Sequence, residues 1–250
     1  AQILAQHFWP GPLTLVLPKR ETVPHRVTAG LQTVAMRVPA HPVARALLQA
    51  AQLPVAAPSA NLFMQLSPTR AEHVAQSLGN RVDLILDGGP CDVGIESTVL
   101  SLVGTPTLLR PGSISRAQIE QLIGPVSLPQ KQTGNAPQLA PGMLERHYAP
   151  RAKLIVFHSR EEAQKMLNEA LAQNKIVGAL LRETEISGAH FVEQMPRHAF
   201  EYSQRLYAAL HEKDDANCDL ILVEAVPDDS SWDGIRDRLT RAGFRDTHLF

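Results

Sequence analysis

Apolar residues recur along this chain in two rhythms, and the changes between them mark the elements. The opening residues 1–7 carry the helical rhythm until two prolines around a glycine, in Trp9-Pro10-Gly11-Pro12, break it. A dense apolar run, 13–17, follows and stops at Pro18, which reads as a strand. Residues 19–30 are polar and read as a connection. The stretch 33–39 is a second strand with Arg37 near its exit, and 42–50 places Val43, Ala46, Leu47 and Ala50 at helical spacing. The short run Val55 to Ala57 is cut off by Pro58, and a residue before proline is pushed to extended geometry, so a buried strand ending in a loop is expected.

Beyond that loop, Ser67 or Thr69 is expected to cap a helix, with Pro68 near its first position and Glu72 at capping-box spacing from Thr69. The helix runs over 71–78 and Gly79 ends it. Residues 82–87 read as a strand, 98–102 and 107–110 as two more, and Ser115 with Gln118 opens a helix to Gly124. From residue 153 the alternation becomes regular. Strands are expected at 153–158, 175–181, 191–193 and 219–226, with helices at 160–173, 198–214 and 230–242. The segment 125–140 is rich in Pro, Gln, Gly and Asn, as a linker would be, whereas 141–150 carries a charge pair, two rings and flanking prolines and reads as an ordered strap. The division is therefore a first domain over 1–128, a linker with strap over 129–152, and a smaller α/β domain over 153–250.

Composition narrows the classes. Hydrophobic residues make up 44% and charged residues 20% of the 250, enough for packed cores under a polar surface. No apolar run approaches the ~18 residues of a membrane span. Residues 1–7 read as a helix already under way and not as a signal peptide, so a natural N-terminus upstream is expected. Cys91 and Cys218 lie far apart, match no metal or redox spacing, and suit a reducing cytoplasm. Net charge is −1, which argues against a general nucleic-acid coat. Residues 1–150 hold 11 Lys and Arg against 8 Asp and Glu, a net of +3, and residues 151–250 come to −4. The first part is the better host for an anion.

Candidate chemistry gathers at strand ends. Ser59 and Asn61 place a hydroxyl and an amide after an expected strand, where ligands of α/β sheets bind, and the helix after Ser67 presents free N–H groups suited to a phosphate. Taken alone, the same residues also make an ordinary strand, turn and capped helix. Arg37 is either an anion grip or a solvated strand-end charge. Ser97 by itself is no more than a turn residue. The loop 88–94 has glycines but neither the Walker nor the dinucleotide pattern, and no His-Glu-x-x-His, Gly-x-Ser-x-Gly or Cys/His metal set is present.

The order of motifs adds what no single one carries. Trp9-Pro10-Gly11-Pro12-Leu13-Thr14, Arg37-Val38-Pro39, Pro58-Ser59-Ala60-Asn61, Ser67-Pro68-Thr69, Gly94-Ile95-Glu96-Ser97-Thr98-Val99, Leu109-Arg110-Pro111-Gly112 and Pro141-Gly142-Met143 through His147-Tyr148-Ala149-Pro150 follow one another. Together they resemble the YrdC-like L-threonylcarbamoyladenylate synthases in their long two-domain form, and residues 232–242 look like the last helix of that second domain. The resemblance implies a YrdC-like twisted open sheet with helices, N-terminally incomplete, and a Rossmann-like α/β second domain. It implies a nucleotidyltransferase that joins L-threonine, bicarbonate and ATP, with Mg²⁺ on the phosphates, into threonylcarbamoyl-AMP and pyrophosphate. The product feeds the cytoplasmic machinery that modifies tRNA with threonylcarbamoyl-adenosine. By the same resemblance Thr33, Ser59, Asn61, Ser67, Arg110 and Tyr148 face ATP, and Arg37, the Ala57 backbone and Ser97 hold threonine. No residue is assigned as catalytic acid or base, and none as a metal ligand, because alignment and charge neutralisation can drive an adenylyl transfer.

Two departures from the family pattern stand out. A basic Lys-x-Arg motif that would precede residue 1 is not in this chain, and Met64 stands where glycine is common, expected to crowd the loop towards Ser67. Three other readings remain at this point: a hydrogenase-maturation carbamoyltransferase of the same fold, which would bring cysteine-rich zinc modules; a YrdC-like module with weak RNA binding; and a folded fragment without activity.

Overall fold

The computed structural model describes residues 1–129 and 148–243. In chain order its helices are α1 (Gln2–Phe8), α2 (Pro42–Ala51), α3 (Ala71–Leu78), α4 (Arg116–Ile123), α5 (Arg160–Ala172), α6 (Ala199–Asp215) and α7 (Asp233–Ala242). Its strands are β1 (Leu13–Pro18), β2 (Thr33–Met36), β3 (Thr98–Ser101), β4 (Thr107–Arg110), β5 (Lys153–Phe157), β6 (Val177–Leu181), β7 (Phe191–Gln194) and β8 (Leu220–Glu224). The described residues fall into two compact units, 1–58 with 96–129 and 229–234, and 59–95 with 148–228 and 235–243.

The first unit is built on a mixed sheet in the order β2-β1-β3-β4, with β1 parallel to β3 and the outer pairs antiparallel. Alternation along the strands explains its two faces. Leu13, Leu15, Leu100 and Leu108 point to one side and bury against Leu4 of α1 and Ile119 of α4. Val16, Val99 and Leu109 cluster on the other. The turn between α1 and β1 is locked by the Trp9 indole, whose Nε1 donates to the Leu13 carbonyl at 2.6 Å. The expected capping box at α4 forms: Ser115 Oγ accepts from the Gln118 N–H, and the Gln118 side chain accepts from the Ser115 N–H. Ser115→Ala is expected to cost about 1 kcal/mol, read as a lower midpoint in urea unfolding with an unchanged slope.

The second unit carries an all-parallel sheet in the order β5-β8-β6-β7. The inner strands β6 and β8 are buried at every position, as the apolar runs 177–181 and 220–223 require. Helix α5 covers one face through Ala163, Leu167 and Ala170, which pack on Phe157, Val177, Ala179 and Leu222. Segment 59–95 belongs to this unit because α6 lies against it. Ser203 Oγ donates to the Val93 carbonyl at 3.0 Å, and the Gln204 amide donates to the Asp92 carbonyl. Gly94, at φ +79°, has the α6 backbone where a Cβ would stand, only 2.2 Å from the Ser203 oxygen. Any side chain there would push α6 away.

Three expectations are corrected. Residues 55–57 and 82–87 are not strands; they run as irregular, largely exposed chain, with Val55 52% and Leu84 76% accessible. A strand needs a neighbour for its N–H and C=O groups, and among the described residues none lies beside either segment. Nor does Ser67 or Thr69 cap α3. The helix begins at Ala71 with Arg70 at the cap position and no side-chain cap bond, and the Thr69 N–H that a capping box would give to Glu72 donates instead to the ring of His73. No helix among the described residues is long and apolar enough to cross a membrane.

Candidate functional site

In the first unit the strand register brings four of the chemistry-bearing residues to one end of the sheet. Thr14 lies opposite Val99, Val99 opposite Arg110, and Leu15 opposite Met36, so Arg37 follows β2 at the level of Thr14. This is the end where β1 and β3 begin and where β2 and β4 finish. Arg110 is buried there at 7% exposure, and its Nε donates to the Ser97 carbonyl at 3.1 Å while Nη2 lies 3.3 Å from Ser97 Oγ. Ser97 Oγ is in turn 2.7 Å from Thr14 Oγ1. Two hydroxyls and a guanidinium thus form one ordered polar chain. Its position depends on Gly112, where a Cβ would stand 2.4 Å from the Thr98 nitrogen.

The other assigned residues of this unit are placed differently. Arg37 is exposed at the same sheet end. Thr33 is opposite Pro18, four positions along β2 from Arg37 and so about 13 Å away by strand rise. The structure does not gather it with Arg37, Ser97 and Arg110. Ala57 lies on the exposed irregular stretch before Pro58.

In the second unit, Asn61 organises the turn after Ser59. Its Nδ2 donates to the Leu62 carbonyl at 2.9 Å and the Gln65 carbonyl at 3.0 Å, which fixes the amide's orientation, since both partners can only accept. Its Oδ1 is buried with no partner among the described groups, an acceptor left for a donor. Ser59 is exposed beside it. Ser67 and Thr69 are buried at 7% and 3%. Met64 adopts φ +69°, the left-handed conformation that favours glycine, which accounts for the family's preference there. Met64 is 38% exposed, and its carbonyl accepts from the Ala149 N–H at 3.1 Å.

Of the strap, residues 141–147 lie outside the described residues. Tyr148 is described, at φ +60° and 1% exposure. Its ring packs 6.1 Å from Tyr207, and the guanidinium of buried Arg238 stands 5.3 Å from the ring centre. A cation over an aromatic face is worth about 2 kcal/mol when desolvated, so Tyr148 is anchored. A cavity of about 320 Å³ opens beside Thr69, lined also by Arg70, Cys91, Glu201 and Arg205. The Arg205 charge is already held between Glu193 and Glu212.

The carboxyl end of the parallel sheet, where an anion could bind, is occupied by the protein itself. Glu224 at the end of β8 accepts the N–H groups of Arg182, Glu183 and Thr184 on one oxygen, at 2.5, 2.9 and 3.0 Å. Burial pushes its carboxyl up, but the three backbone donors, joined by the Thr184 side chain, outweigh that and hold it below the ordinary carboxylate value. The seat that a phosphate would take is filled by a side chain.

Sequence reasoning missed three residues at these sites. Thr14 sat inside a quoted motif without a role, although its place at the start of a strand was visible. His73 and His211, whose rings stack with centroids 3.8 Å apart, gave no signal because they are far apart along the chain.

Comparison with known proteins places both parts of the chain. A family profile described as "Telomere recombination" (Sua5/YciO/YrdC) matches residues 1–112, and one described as "Threonylcarbamoyl-AMP synthase, C-terminal domain" matches residues 114–243. A threonylcarbamoyl-AMP synthase of Bacillus subtilis is 43% identical over 250 residues, covering 97% of this chain and 72% of that protein. One from Pyrococcus abyssi is 39% identical, covering 98% and 74%. The crystal structure of P. abyssi Sua5 complexed with L-threonine superposes with a TM-score of 0.88 at 38% identity, over 96% of this chain and 73% of that one.

Proposed function

Because this chain belongs to the threonylcarbamoyl-AMP synthases in their two-domain form, we propose that it joins L-threonine, bicarbonate and ATP into threonylcarbamoyl-AMP and pyrophosphate. The observation that carries the reading is the chain of buried Arg110 and Ser97 with half-buried Thr14 at the sheet end. A guanidinium held rigidly by its neighbours offers fixed charge to an anionic substrate without reorganising, which is what an adenylyl transfer asks of its site.

Threonine's amine reacts with bicarbonate, losing water, to give a carbamate. A carbamate oxygen then attacks the α-phosphorus of ATP, and pyrophosphate leaves with the β- and γ-phosphates. Ser97, Arg37 and the Ala57 backbone hold threonine. Ser59, Asn61, Ser67, Arg110, Thr33 and Tyr148 serve the nucleotide. Mg²⁺ would enter as the complex of ATP, chelated by phosphate oxygens. The product supplies the machinery that places the threonylcarbamoyl group on tRNA, in the cytoplasm.

The test is pyrophosphate release from Mg-ATP and bicarbonate, with and without L-threonine. Release that depends on threonine is expected, and none under any condition would remove the synthase reading for this chain. Within that assay Arg37→Ala is expected to raise the threonine KM about tenfold, the loss of one charge-assisted contact, and Ser59→Ala to lower turnover. Unchanged kinetics in both variants would take these residues out of the pocket.

A further inference from the structure

The Ser67–Thr69 loop is gripped by two imidazoles from different helices. His73 stands in the first turn of α3 and His211 in the last part of α6, and their rings stack with 23° between the planes. The Thr69 N–H donates to His73 Nδ1 at 3.2 Å, and the Thr69 hydroxyl lies 3.4 Å from the same nitrogen. His211 Nε2 lies 3.1 Å from the Ser67 carbonyl oxygen. The chemistry of the partners fixes the protons. A carbonyl only accepts, so His211 Nε2 carries hydrogen; a backbone N–H only donates, so His73 Nδ1 is bare and His73 is neutral.

We propose that the stacked pair His73 and His211 is a positioning device that sets the Ser67–Thr69 loop for the nucleotide, and that it holds only while His73 is uncharged. The proposal rests on the reading above in which Ser67 faces ATP. It deepens that reading by naming two residues that touch no substrate and act through the loop.

The surroundings favour the neutral ring. Burial first, then the facing His211 ring on α6 and Arg70 just before α3, lower the His73 pKa from 6.5, against Asp215 of α6 and Glu72 of α3, which pull it up. Protonation would turn Nδ1 from acceptor to donor, aimed at the Thr69 N–H, and would set a charge against the His211 ring. With a lowered pKa the grip is whole above pH 6.5 and is lost as pH falls through the His73 value.

The experiment compares the wild-type protein with His73→Ala, His211→Ala, His73→Asn and His211→Gln. Asparagine can accept from the Thr69 N–H without titrating, and glutamine can still donate to the Ser67 carbonyl. Kinetics of threonine-dependent pyrophosphate release are measured from pH 5.5 to 8, and protection of the Thr69 amide from hydrogen exchange is followed over the same range. Both alanine variants are expected to raise the ATP KM about tenfold, as one lost hydrogen bond allows, with the threonine KM nearly unchanged. His73→Asn keeps the wild-type ATP KM at neutral pH and abolishes its rise in acid. Thr69 protection falls with acid in the wild type and is low at every pH in His73→Ala. An ATP KM that is unmoved in both alanine variants, or an acid rise that persists in His73→Asn, overturns the device. The exchange measurement stands apart from catalysis: a protein that releases no pyrophosphate defeats the synthase reading, while Thr69 protection indifferent to pH and to His73→Asn or His73→Ala defeats the grip.

Discussion

Arg110→Ala is expected to lower kcat/KM for threonine-dependent pyrophosphate release by at least about a hundredfold, a loss of about 2.7 kcal/mol in transition-state stabilisation. The guanidinium does two jobs that an alanine leaves undone. It supplies fixed charge at the sheet end, and it holds both the carbonyl and the hydroxyl of Ser97, which orients Thr14 beyond it. Removing it takes the Nε donor from the buried Ser97 carbonyl, so some stability is also lost. Arg110→Lys should rescue little, since one ammonium cannot span the Nε and Nη2 contacts together. Thermal unfolding of each variant separates the two effects. A folded Arg110→Ala protein with wild-type kcat/KM would take Arg110 out of the site and with it the observation on which the functional reading stands.

The largest stability effect is expected at Glu224, in the unit whose sheet ends lack a glycine-rich phosphate loop. Glu224→Ala strips the partner from three backbone N–H groups at once. At about 0.5–1 kcal/mol for each of these half-buried donors, about 2 kcal/mol is lost, and Tm falls by about 4–8 °C for a chain of this size. Glu224→Gln keeps an oxygen acceptor and should lose less. The pH dependence has a definite sign. The carboxyl is held below its ordinary 4.5 in the folded protein, so its charge contributes stability above pH 4.5 that is lost as pH falls through the lowered folded value. The gap in Tm between wild type and Glu224→Gln is therefore open at pH 7 and closes in acid. Equal melting of all three proteins at pH 7 would mean the N–H groups find other partners.

Much of this was legible in order along the chain. Strand and helix periods from 153 onward predicted every element of the parallel sheet within a few residues, because central strands buried on both faces and amphipathic helices write their burial into composition. The capping box at Ser115 was visible because its two partners are three residues apart. The motifs were visible too, in an order specific enough to point to the family that the comparisons then showed.

What failed, failed for one reason. Val55 to Ala57 and 82–87 have strand composition, but a strand is a relation between two segments, and β-propensity cannot supply the neighbour. The cap expected at Thr69 was a local pattern defeated by the ring of His73, which took the Thr69 N–H, with His211 of a distant helix stacked on that ring. The sequence by itself determined the family, the α/β class, the helices and inner strands, and the place of Arg37, Ser97 and Arg110 at strand ends. Only the tertiary structure decided that β4 brings Arg110 onto Ser97, that Thr14 completes that chain, that Glu224 fills its own sheet's anion seat, and that two histidines hold one loop. These are contacts between residues remote in the chain, set by strand register and helix packing, and no local rhythm records them.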